Sequence, residues 1–402
     1  VVKAMTKLYG WAAPEDQETF FGKKPPGMLS VKTGHRDDDV VQVPIGQFKL
    51  PGVDEPVMTG IYNGQFVLHG DIKKRDRHIV LELAVLARKI LKEGSIYRGK
   101  PIKLMVDDAG NLIQNSPPEF FDVTEMVEEN LIFDRTVQDQ VNTNLLTPLR
   151  ETELCRKHKI PLRRGILLEG PYGTGKSLLG RLTARIAEQN GWTFVLLDKV
   201  QGLKPALEFA VKYAPSVVFA EDIDRIITER TDGANDLINT IDGVGNKTSE
   251  IMTVLTTNFV DTINPSILRP GRLDAIISLR APTAEACQRL IRYYAGNLLQ
   301  KNITLAEAGK TLEGMIPASV RECVDRAKLG MVSRRDTKLV EGDLIIAAQS
   351  MKHHMELLNP KPAQPNQAEV LASSLKNVVN GHDETIEHIL KKVKEIHNHL
   401  DV

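Results

Sequence analysis

The residues best suited to chemistry lie in a glycine-rich segment at 170–177, which reads Gly-Pro-Tyr-Gly-Thr-Gly-Lys-Ser. This is the pattern of a phosphate-binding loop, whose glycines let backbone N–H groups point at a polyphosphate. In such a loop Lys176 reaches the β- and γ-phosphates, and Ser177 offers its hydroxyl to Mg²⁺. We therefore predict a nucleoside-triphosphate site. Its predicted contact residues are Gly170, Pro171, Tyr172, Gly173, Thr174, Gly175, Lys176, Ser177 and Leu178.

Acidic residues follow a short apolar run further along the chain. The run at 216–220 reads Ser-Val-Val-Phe-Ala and leads into Glu221, Asp222, Ile223 and Asp224. Parallel strands present such side chains at their carboxyl ends, beside a phosphate loop. One carboxylate is needed to hold Mg²⁺ and one to orient the attacking water. The pattern favours this use of the acids over a solvated acidic loop.

Two further polar features follow the next apolar run. Asn258 ends the run at 251–257, where it could cap a turn or hold the lytic water near the γ-phosphate. Arg269 and Arg272 then flank a Pro-Gly turn. The two arginine side chains can hardly both reach the nucleotide bound by their own subunit. Arginines supplied in trans, by contrast, stabilise charge on the γ-phosphoryl oxygens. The spacing therefore predicts that a neighbouring copy receives them.

An alternation of strands and helices must position these residues. The phosphate loop sits between an apolar strand and a segment with helical spacing at 177–186, so a helix N-terminus lies under the anion. The alternation predicts an α/β fold, with a parallel sheet covered by helices on both faces. The predicted strands are 166–169, 193–197, 216–220, 251–257 and 275–279.

The pattern divides the chain into four parts. Residues 1–120 read as a mixed α+β domain, with strands at 40–45 and 101–106, a hairpin at 58–69 and a helix at 78–91. Residues 121–280 form the nucleotide-binding domain and 281–358 a helical lid. Residues 359–402 read as a linker and an amphipathic helix. The apolar residues of that helix are Ile386, Ile389, Val393, Ile396 and Leu400.

Composition narrows the classes of function. The 402 residues include 52 Lys and Arg and 52 Asp and Glu, and this absence of net charge disfavours a nucleic-acid partner. The three cysteines, Cys155, Cys287 and Cys323, are scattered, which suits a reducing cytoplasm rather than a disulfide framework. No apolar run approaches the ~20 residues of a membrane span. We therefore expect a cytoplasmic protein with no membrane span.

Taken together, these motifs resemble those of the AAA ATPases, within the AAA+ superfamily, over residues 122–358. The arginine pair is specific to the AAA family proper rather than to AAA+ proteins at large. The lid segment 313–318 matches a family motif that places no arginine at the sensor-2 position. The remaining matching segments are 170–177 as Walker A, 219–224 as Walker B, 256–258 as sensor 1, 268–272 as the second region of homology and 242–244 as the intersubunit signalling segment.

The resemblance implies a homohexameric ring with ATP and Mg²⁺ at each subunit interface. It also implies that hydrolysis moves pore loops that pull a protein substrate, with the N-terminal domain and the C-terminal helix choosing the substrate or adaptor. By position, Ser177 and Glu221 serve Mg²⁺ and Asp222 activates water. Asn258, Arg269 and Arg272 complete the catalytic set.

Two departures from the family pattern leave alternatives open. The Walker B acids stand in the order Glu221-Asp222, which resembles the mitochondrial AAA translocase of the Rieske protein and blurs the two roles. The segment matching the pore loop, 199–202, reads Lys-Val-Gln-Gly and lacks an aromatic ring. Val200 would grip a substrate less well than an aromatic ring. The segment is either a weak pore loop or a plain connection, so an ATP-dependent assembly switch with slow hydrolysis is the alternative function.

Overall fold

The structure is a computed structural model of the 402-residue chain. The segments it describes are 1–10, 15–19, 22–62, 65–113, 117–197, 199–224, 249–263 and 273–358. Several sequence predictions lie outside these described residues, namely those for Arg269, Arg272, the segment 242–244 and the C-terminal helix within 359–402.

The N-terminal region is built from two helices and short antiparallel strands. Its elements are α1 (Val2–Tyr9), β1 (Gln17–Thr19), β2 (Gly22–Lys24), β3 (Gly27–Lys32), β4 (Val40–Phe48), β5 (Val57–Tyr62), β6 (Gln65–His69) and α2 (Arg77–Gly94). Strands β3 to β6 form an antiparallel sheet in chain order. The two helices meet the sheet in a core that includes Met5, Phe48 and Leu83. The predicted strand at 40–45, the hairpin and the helix at 78–91 are confirmed.

The central region of the chain contains a mostly parallel sheet. Its strands are β7 (Pro101–Leu104), β8 (Glu119–Phe120), β9 (Arg164–Glu169), β10 (Thr193–Leu197), β11 (Ser216–Ala220), β12 (Ile251–Thr257) and β13 (Ala275–Ser278). Within the described residues the spatial order is β13-β9-β12-β11-β10-β7-β8, and only β8 is antiparallel to its neighbour. Every residue of β11 and β12 is buried, as expected for strands covered on both faces. All five predicted strands of this region are confirmed.

Helices cover this sheet and lead into it. They are α3 (Arg135–Val141), α4 (Thr147–Arg150), α5 (Thr152–Lys157), α6 (Lys176–Gln189) and α7 (Leu203–Lys212), with a π-helical turn at Asn142–Leu146 between α3 and α4. The sheet forms two apolar cores. Helix α7 packs in one of them, and helix α6 packs in the second. Because β9 leads into the loop before α6, the sheet fixes where the phosphate loop lies.

Two strands belong to a different unit from the one the sequence predicts. The boundary at residue 120 assigns β7 and β8 to the N-terminal domain, but β7 pairs in parallel with β10, placing Ile102 beside Val195. The side chains of Ile102 and Leu104 are buried in the core under this mostly parallel sheet. A four-residue strand does not encode which sheet it joins, so the sequence pattern alone misplaced β7 and also β8, which pairs with it.

A small helical domain follows the sheet. It consists of α8 (Ala284–Ala295), α9 (Ala306–Leu312), α10 (Pro317–Ser333) and α11 (Glu341–Leu358). The side chain of Thr283 caps α8 by accepting a hydrogen bond from the backbone of Ala286. These helices share one apolar core, and the prediction that 283–358 is helical is confirmed. No helix among the described residues is both long and apolar enough to cross a lipid bilayer.

Candidate nucleotide-binding site

The phosphate loop connects β9 to α6, as the sequence predicts. Gly170 and Gly175 have φ angles of 151° and 101°, which L-residues rarely adopt. A Cβ atom on Gly170 would lie 2.3 Å from the carbonyl oxygen of Leu279. The hydroxyl of Thr174 donates to the carbonyl oxygen of Pro171 at 2.9 Å, closing the turn. Helix α6 begins at Lys176, so its first N–H groups face the concave side of the loop.

Lys176 is the central cation of the site. Its amine donates to the carbonyl oxygens of Gly170 at 2.6 Å and Pro171 at 3.0 Å, and to Oδ1 of Asn258 at 2.7 Å. The residue is only 7% exposed. This burial lowers the pKa of Lys176, while nearby carboxylates, foremost that of Asp222, oppose the shift. The amine is therefore held on loop oxygens that a phosphate group would replace.

The carboxyl ends of β11 and β12 bring two predicted catalytic residues together. Nδ2 of Asn258 donates to Oδ1 of Asp222 at 3.0 Å. The backbone N–H of Asp222 donates to the hydroxyl of Thr256 at 3.0 Å, which fixes the chain at the end of β11. Asp222 itself has a φ of 53°, a left-handed conformation that aspartate tolerates better than most residues. The side chain of Asn258 thus bridges Lys176 and Asp222.

Asp224 is a buried acid that the sequence reasoning left without a role. Its Oδ1 accepts hydrogen bonds from the hydroxyl of Thr257 at 3.0 Å and from the backbone N–H of Asn258 at 3.2 Å. The residue is 6% exposed. Because it holds the backbone of Asn258, Asp224 is a positioning residue rather than a group that touches the nucleotide. The acidic run itself was visible in the sequence. The separate roles of its acids depend on the contacts that each makes where β11 ends.

These side chains line a cleft of about 380 Å³. Its walls include most of the predicted contact residues and three of the predicted catalytic residues. The predicted residues that line the cleft are Tyr172, Gly173, Thr174, Gly175, Lys176, Ser177, Leu178, Glu221, Asp222 and Asn258. Gly170 and Pro171 contribute through their carbonyl oxygens, which hold Lys176. The phosphate loop and the Walker B acids therefore lie in one place.

The lid also supplies an arginine to this cleft, from beyond the segment 313–318, which itself contains no arginine. Arg321 lines the cleft together with Pro317 and Ala318, one turn earlier on α10. The backbone N–H of Ala318 donates to the carbonyl oxygen of Gly173 at 3.3 Å, so the start of α10 is joined to the phosphate loop. The matching motif ends at Ala318, so the motif alone does not predict a role for Arg321. The helical period carries Arg321 onto the same face as Ala318.

Apolar side chains also line the cleft. Leu131, Phe133, Leu290 and Tyr294 line it, and they come from the chain before α3 and from the lid helix α8. Such a wall suits the base and sugar of a nucleotide, which need apolar contact more than charge. The sequence reasoning missed these residues, because they carry no motif and meet only in the folded chain.

The segment predicted to match the pore loop does not present Val200 to solvent. Val200 is 4% exposed and packs in the core beside Val106 and Leu203. A Cβ atom on Gly202 would lie 2.5 Å from the side chain of Val106, so the segment is tightly packed there. The interpretation of Val200 as a residue that grips a substrate is therefore wrong for this conformation. The alternative, a connection between β10 and α7, fits the structure.

The residues present fit a magnesium-bound triphosphate. The loop offers backbone donors at the start of α6 and a lysine amine, while Ser177 and Glu221 offer the oxygen ligands that Mg²⁺ prefers. Among the described residues no cluster of three or more His, Cys, Asp or Glu side chains forms a metal site.

Comparison with known proteins also indicates a nucleotide-binding region. Residues 166–281 match the family model described as "ATPase family associated with various cellular activities (AAA)". The chain is 29% identical over 221 residues to the "26S proteasome regulatory subunit 8 homolog" of Schizosaccharomyces pombe, covering 50% of this chain and 55% of that protein. It is also 29% identical over 215 residues to the "26S proteasome regulatory subunit 8" of Caenorhabditis elegans, covering 48% and 50%. The chain thus spans about half the length of these two relatives.

A longer match is found to an archaeal protein. The chain is 26% identical over 333 residues to the "Proteasome-activating nucleotidase" of Methanocaldococcus jannaschii, covering 76% of this chain and 71% of that protein.

Proposed function

The chain belongs to the AAA ATPases, and we propose that it hydrolyses ATP in a ring of identical subunits to remodel a protein substrate. The observation that carries this proposal is the bridge in which Asn258 contacts both Lys176 and Asp222 inside the nucleotide cleft. It places a phosphate-binding cation, a polar amide and an acid in one chain of hydrogen bonds. A site built only to bind nucleotide would not need the acid and the amide at the γ-phosphate end.

Each predicted residue has a role in this reaction. With nucleotide bound, Lys176 would leave its loop carbonyls to hold the β- and γ-phosphates, and Ser177 and Glu221 would hold Mg²⁺. Bound Mg²⁺ neutralises charge on the triphosphate. Asp222 accepts the proton of the attacking water while Asn258 fixes the direction of its carboxylate. Arg321 adds a positive charge from the lid side of the cleft.

We further propose that Arg269 and Arg272 act on the nucleotide of a neighbouring subunit within a homohexamer. Their spacing around the Pro-Gly turn supports this role, although both lie outside the described residues. An arginine supplied in trans is worth a large factor in turnover, about 10³ or more. The ring is therefore required for hydrolysis, and a monomer should be nearly inactive.

Mixing two inactive variants tests this arrangement. Lys176→Ala subunits keep their arginines, and Arg269→Ala subunits keep their phosphate loop, so mixed rings should regain ATP hydrolysis that neither variant has alone. The matched control mixes Lys176→Ala with the double variant Lys176→Ala/Arg269→Ala, in which no phosphate loop is intact. If no mixing ratio restores turnover while both variants still assemble, the in-trans role is refuted.

We propose that the substrate is a protein, selected by the N-terminal region and by the C-terminal helix predicted within 359–402. The names of the relatives, which are proteasome regulatory subunits and nucleotidases, support a protein substrate. The compartment we propose is the cytoplasm, since Cys155, Cys287 and Cys323 are unpaired and buried. An unfolded protein added to the assembled ring should raise the ATPase rate, whereas DNA or RNA should not.

A second candidate function is an assembly switch, in which ATP binding builds the ring and slow hydrolysis resets it. The burial of Val200 favours this candidate, because the segment expected to grip a substrate is packed in the core. Steady-state turnover separates the two functions. Turnover of about 1 s⁻¹ or more that rises with substrate supports remodelling. Turnover far slower than this, with a ring that assembles only with ATP, supports the switch.

A further inference from the structure

A second cleft, of about 490 Å³, lies where the N-terminal region meets the ATPase sheet. The loop between β3 and β4 forms one side, and the start of β7, the end of β8 and the last turns of α6 form the other. It shares no lining residue with the nucleotide cleft. Its volume lies within the range of small-molecule sites.

Positive charge exceeds negative charge along the lining of this junction cleft. Arg36, Lys100 and Arg185 face it, against the carboxylates of Asp39 and Glu188. Glu188 is shared, since its carboxylate lies 3.3 Å from Nζ of Lys100 and 3.6 Å from the guanidinium of Arg185. One carboxylate thus serves two cations, and the pairing leaves positive charge uncompensated.

Arg36 supplies further positive charge from the opposite side. Its backbone N–H donates to Oδ2 of Asp39 at 3.1 Å, so that carboxylate is already engaged by the loop. The guanidinium of Arg36 forms no hydrogen bond or ion pair with any described residue, although its charge acts on Asp122. His35 in the same loop lies 3.5 Å from Asp122. Arg36 is therefore available to a ligand.

Arg185 contains a donor that lacks an acceptor. Its Nε atom is buried and has no hydrogen-bond partner among the described residues. Buried donors are almost always paired in folded proteins, so such a group indicates a missing acceptor. The carbonyl end of α6, which also borders the cleft, would by itself repel an anion. Against this effect, the lining carries three cations, Arg36, Lys100 and Arg185, and two carboxylates, Asp39 and Glu188.

Apolar side chains form the remaining wall. The rings of Phe120 and Phe121 line the cleft beside Pro101. A small inorganic ion would leave this wall exposed to water, whereas a ligand with an apolar body would cover it. The cleft therefore combines a cationic end with an apolar surface.

We propose that the junction cleft binds a small anion of the phosphate or carboxylate class that carries an apolar or aromatic body. The anionic group lies between Arg36 and Arg185, and the body packs on Phe120 and Phe121. Such a ligand joins the β3–β4 loop to α6, the helix whose first residue is Lys176. The site is separate from the nucleotide site and is not part of ATP hydrolysis.

Calorimetric titration of the full chain with phenyl phosphate, and separately with benzoate, tests this proposal. ADP and Mg²⁺ are kept saturating so that the phosphate loop is filled. We expect at least one probe to bind, and Arg185→Gln and Arg36→Gln each to weaken that probe by about tenfold. Arg181→Gln is the matched control, because Arg181 lies on the same helix, is exposed and does not line the cleft.

The outcomes separate the chemistries and can overturn the proposal. Preference for phenyl phosphate or for benzoate identifies the phosphate or the carboxylate class. Arg36 is exposed, so loss of binding in Arg36→Gln supports the site even where Arg185→Gln fails to fold. Absence of binding by both probes at millimolar concentration refutes the proposal. Equal binding by wild type, Arg36→Gln and Arg185→Gln also refutes it, as does competition between the probe and ADP.

Discussion

The side-chain oxygen of Asn258 accepts a hydrogen bond from the amine of Lys176 at 2.7 Å. The amide nitrogen of Asn258 in turn donates to Asp222 at 3.0 Å. One atom of the amide therefore accepts a hydrogen bond while the other donates one. A carboxamide can accept from a cation through its oxygen and donate to a carboxylate through its nitrogen at the same time. Lys176 and Asp222 are therefore linked through one amide.

Replacing this amide should reduce turnover more than binding. Asn258→Ala removes both hydrogen bonds, and loss of one positioned polar group at a reacting centre costs about 10²-fold or more in kcat. The affinity for ATP should change by less, because the phosphate loop is intact. Steady-state hydrolysis and titration with a fluorescent ATP analogue measure the two effects. Asn297→Ala, at an exposed position in the lid, should leave both unchanged.

The two Walker B acids should respond differently to loss of charge. Asp222→Asn keeps the left-handed backbone, which asparagine also tolerates, so the variant should fold and bind ATP but lose most turnover. Glu221→Gln should instead raise the Mg²⁺ concentration needed for half-maximal turnover. Rapid-quench measurements over a range of Mg²⁺ concentrations compare them. Turnover that survives in Asp222→Asn and disappears in Glu221→Gln would reverse the two assignments.

Arg321 should contribute to nucleotide binding from the lid. Arg321→Ala removes a cation that lines the cleft, and a charge-assisted contact with phosphate is worth about 1.5–3 kcal/mol, or roughly tenfold to a hundredfold in Kd. Equilibrium titration with ATP measures the change. Arg326→Ala is the control, because Arg326 lies on the same helix, forms a comparable ion pair with Glu322 and does not line the cleft. Equal affinities for the two variants would show that Arg321 does not contact the nucleotide.

The parts of the site that follow local sequence were predictable. The phosphate loop depends on glycines at fixed spacing before a helix, and the acids and Asn258 follow buried strands whose carboxyl ends must share one edge. Local pattern therefore predicts that Lys176, Asp222 and Asn258 lie together. The bridge between them was not predictable, since it depends on the relative heights of β11 and β12, which are set by the register that pairs Ala220 with Leu255.

The parts that depend on contacts between distant segments were not predictable. Val200 is buried because Val106, far away in the chain, packs against the same segment. The membership of β7 in the ATPase sheet depends on pairing with β10 and not on its own four residues. Arg321 reaches the cleft because the lid folds back onto Gly173. Each of these is a tertiary contact that apolar periodicity does not encode.

An ion pair should make the lid sensitive to acid. The carboxylate of Asp343 accepts hydrogen bonds from Arg334 and from the backbone of Val340, and its side chain is 4% exposed. The Arg334 guanidinium holds the pKa of Asp343 below its ordinary value. The unfolded chain then binds a proton more readily than the folded one. The stabilisation is present above the ordinary pKa of about 3.9 and is lost as pH falls through the lowered value.

Circular dichroism melts over a range of acidic pH values measure this dependence. Asp343→Asn should lower the Tm at neutral pH and flatten the further fall of Tm below about pH 4. Asp336→Asn is the control, because Asp336 is exposed and lies 3.9 Å from the same arginine. Parallel acid profiles for wild type and Asp343→Asn would contradict the role of this pair.

Removal of the buried carboxylate at Asp224 should destabilise the ATPase domain. Asp224→Ala leaves the hydroxyl of Thr257 and the backbone N–H of Asn258 without their acceptor, and each buried group left unsatisfied costs about 1–3 kcal/mol. Asp224→Asn retains an acceptor oxygen and should lose less. Turnover should fall in the alanine variant as well, because the backbone of Asn258 is no longer held.

Trp192 provides the measurement for this prediction. It is fully buried in the core that also contains Leu179 and Phe219, so its fluorescence reports unfolding of the ATPase domain. Replacement of Trp11, the other tryptophan of the chain, by phenylalanine isolates this signal. Urea titrations in that background should give a lower midpoint for Asp224→Ala. Asp261→Ala, at an exposed acid nearby in the chain, should stay within about 0.5 kcal/mol of wild type. An unchanged midpoint in Asp224→Ala would mean that water replaces the carboxylate without cost and that Asp224 does not position Asn258.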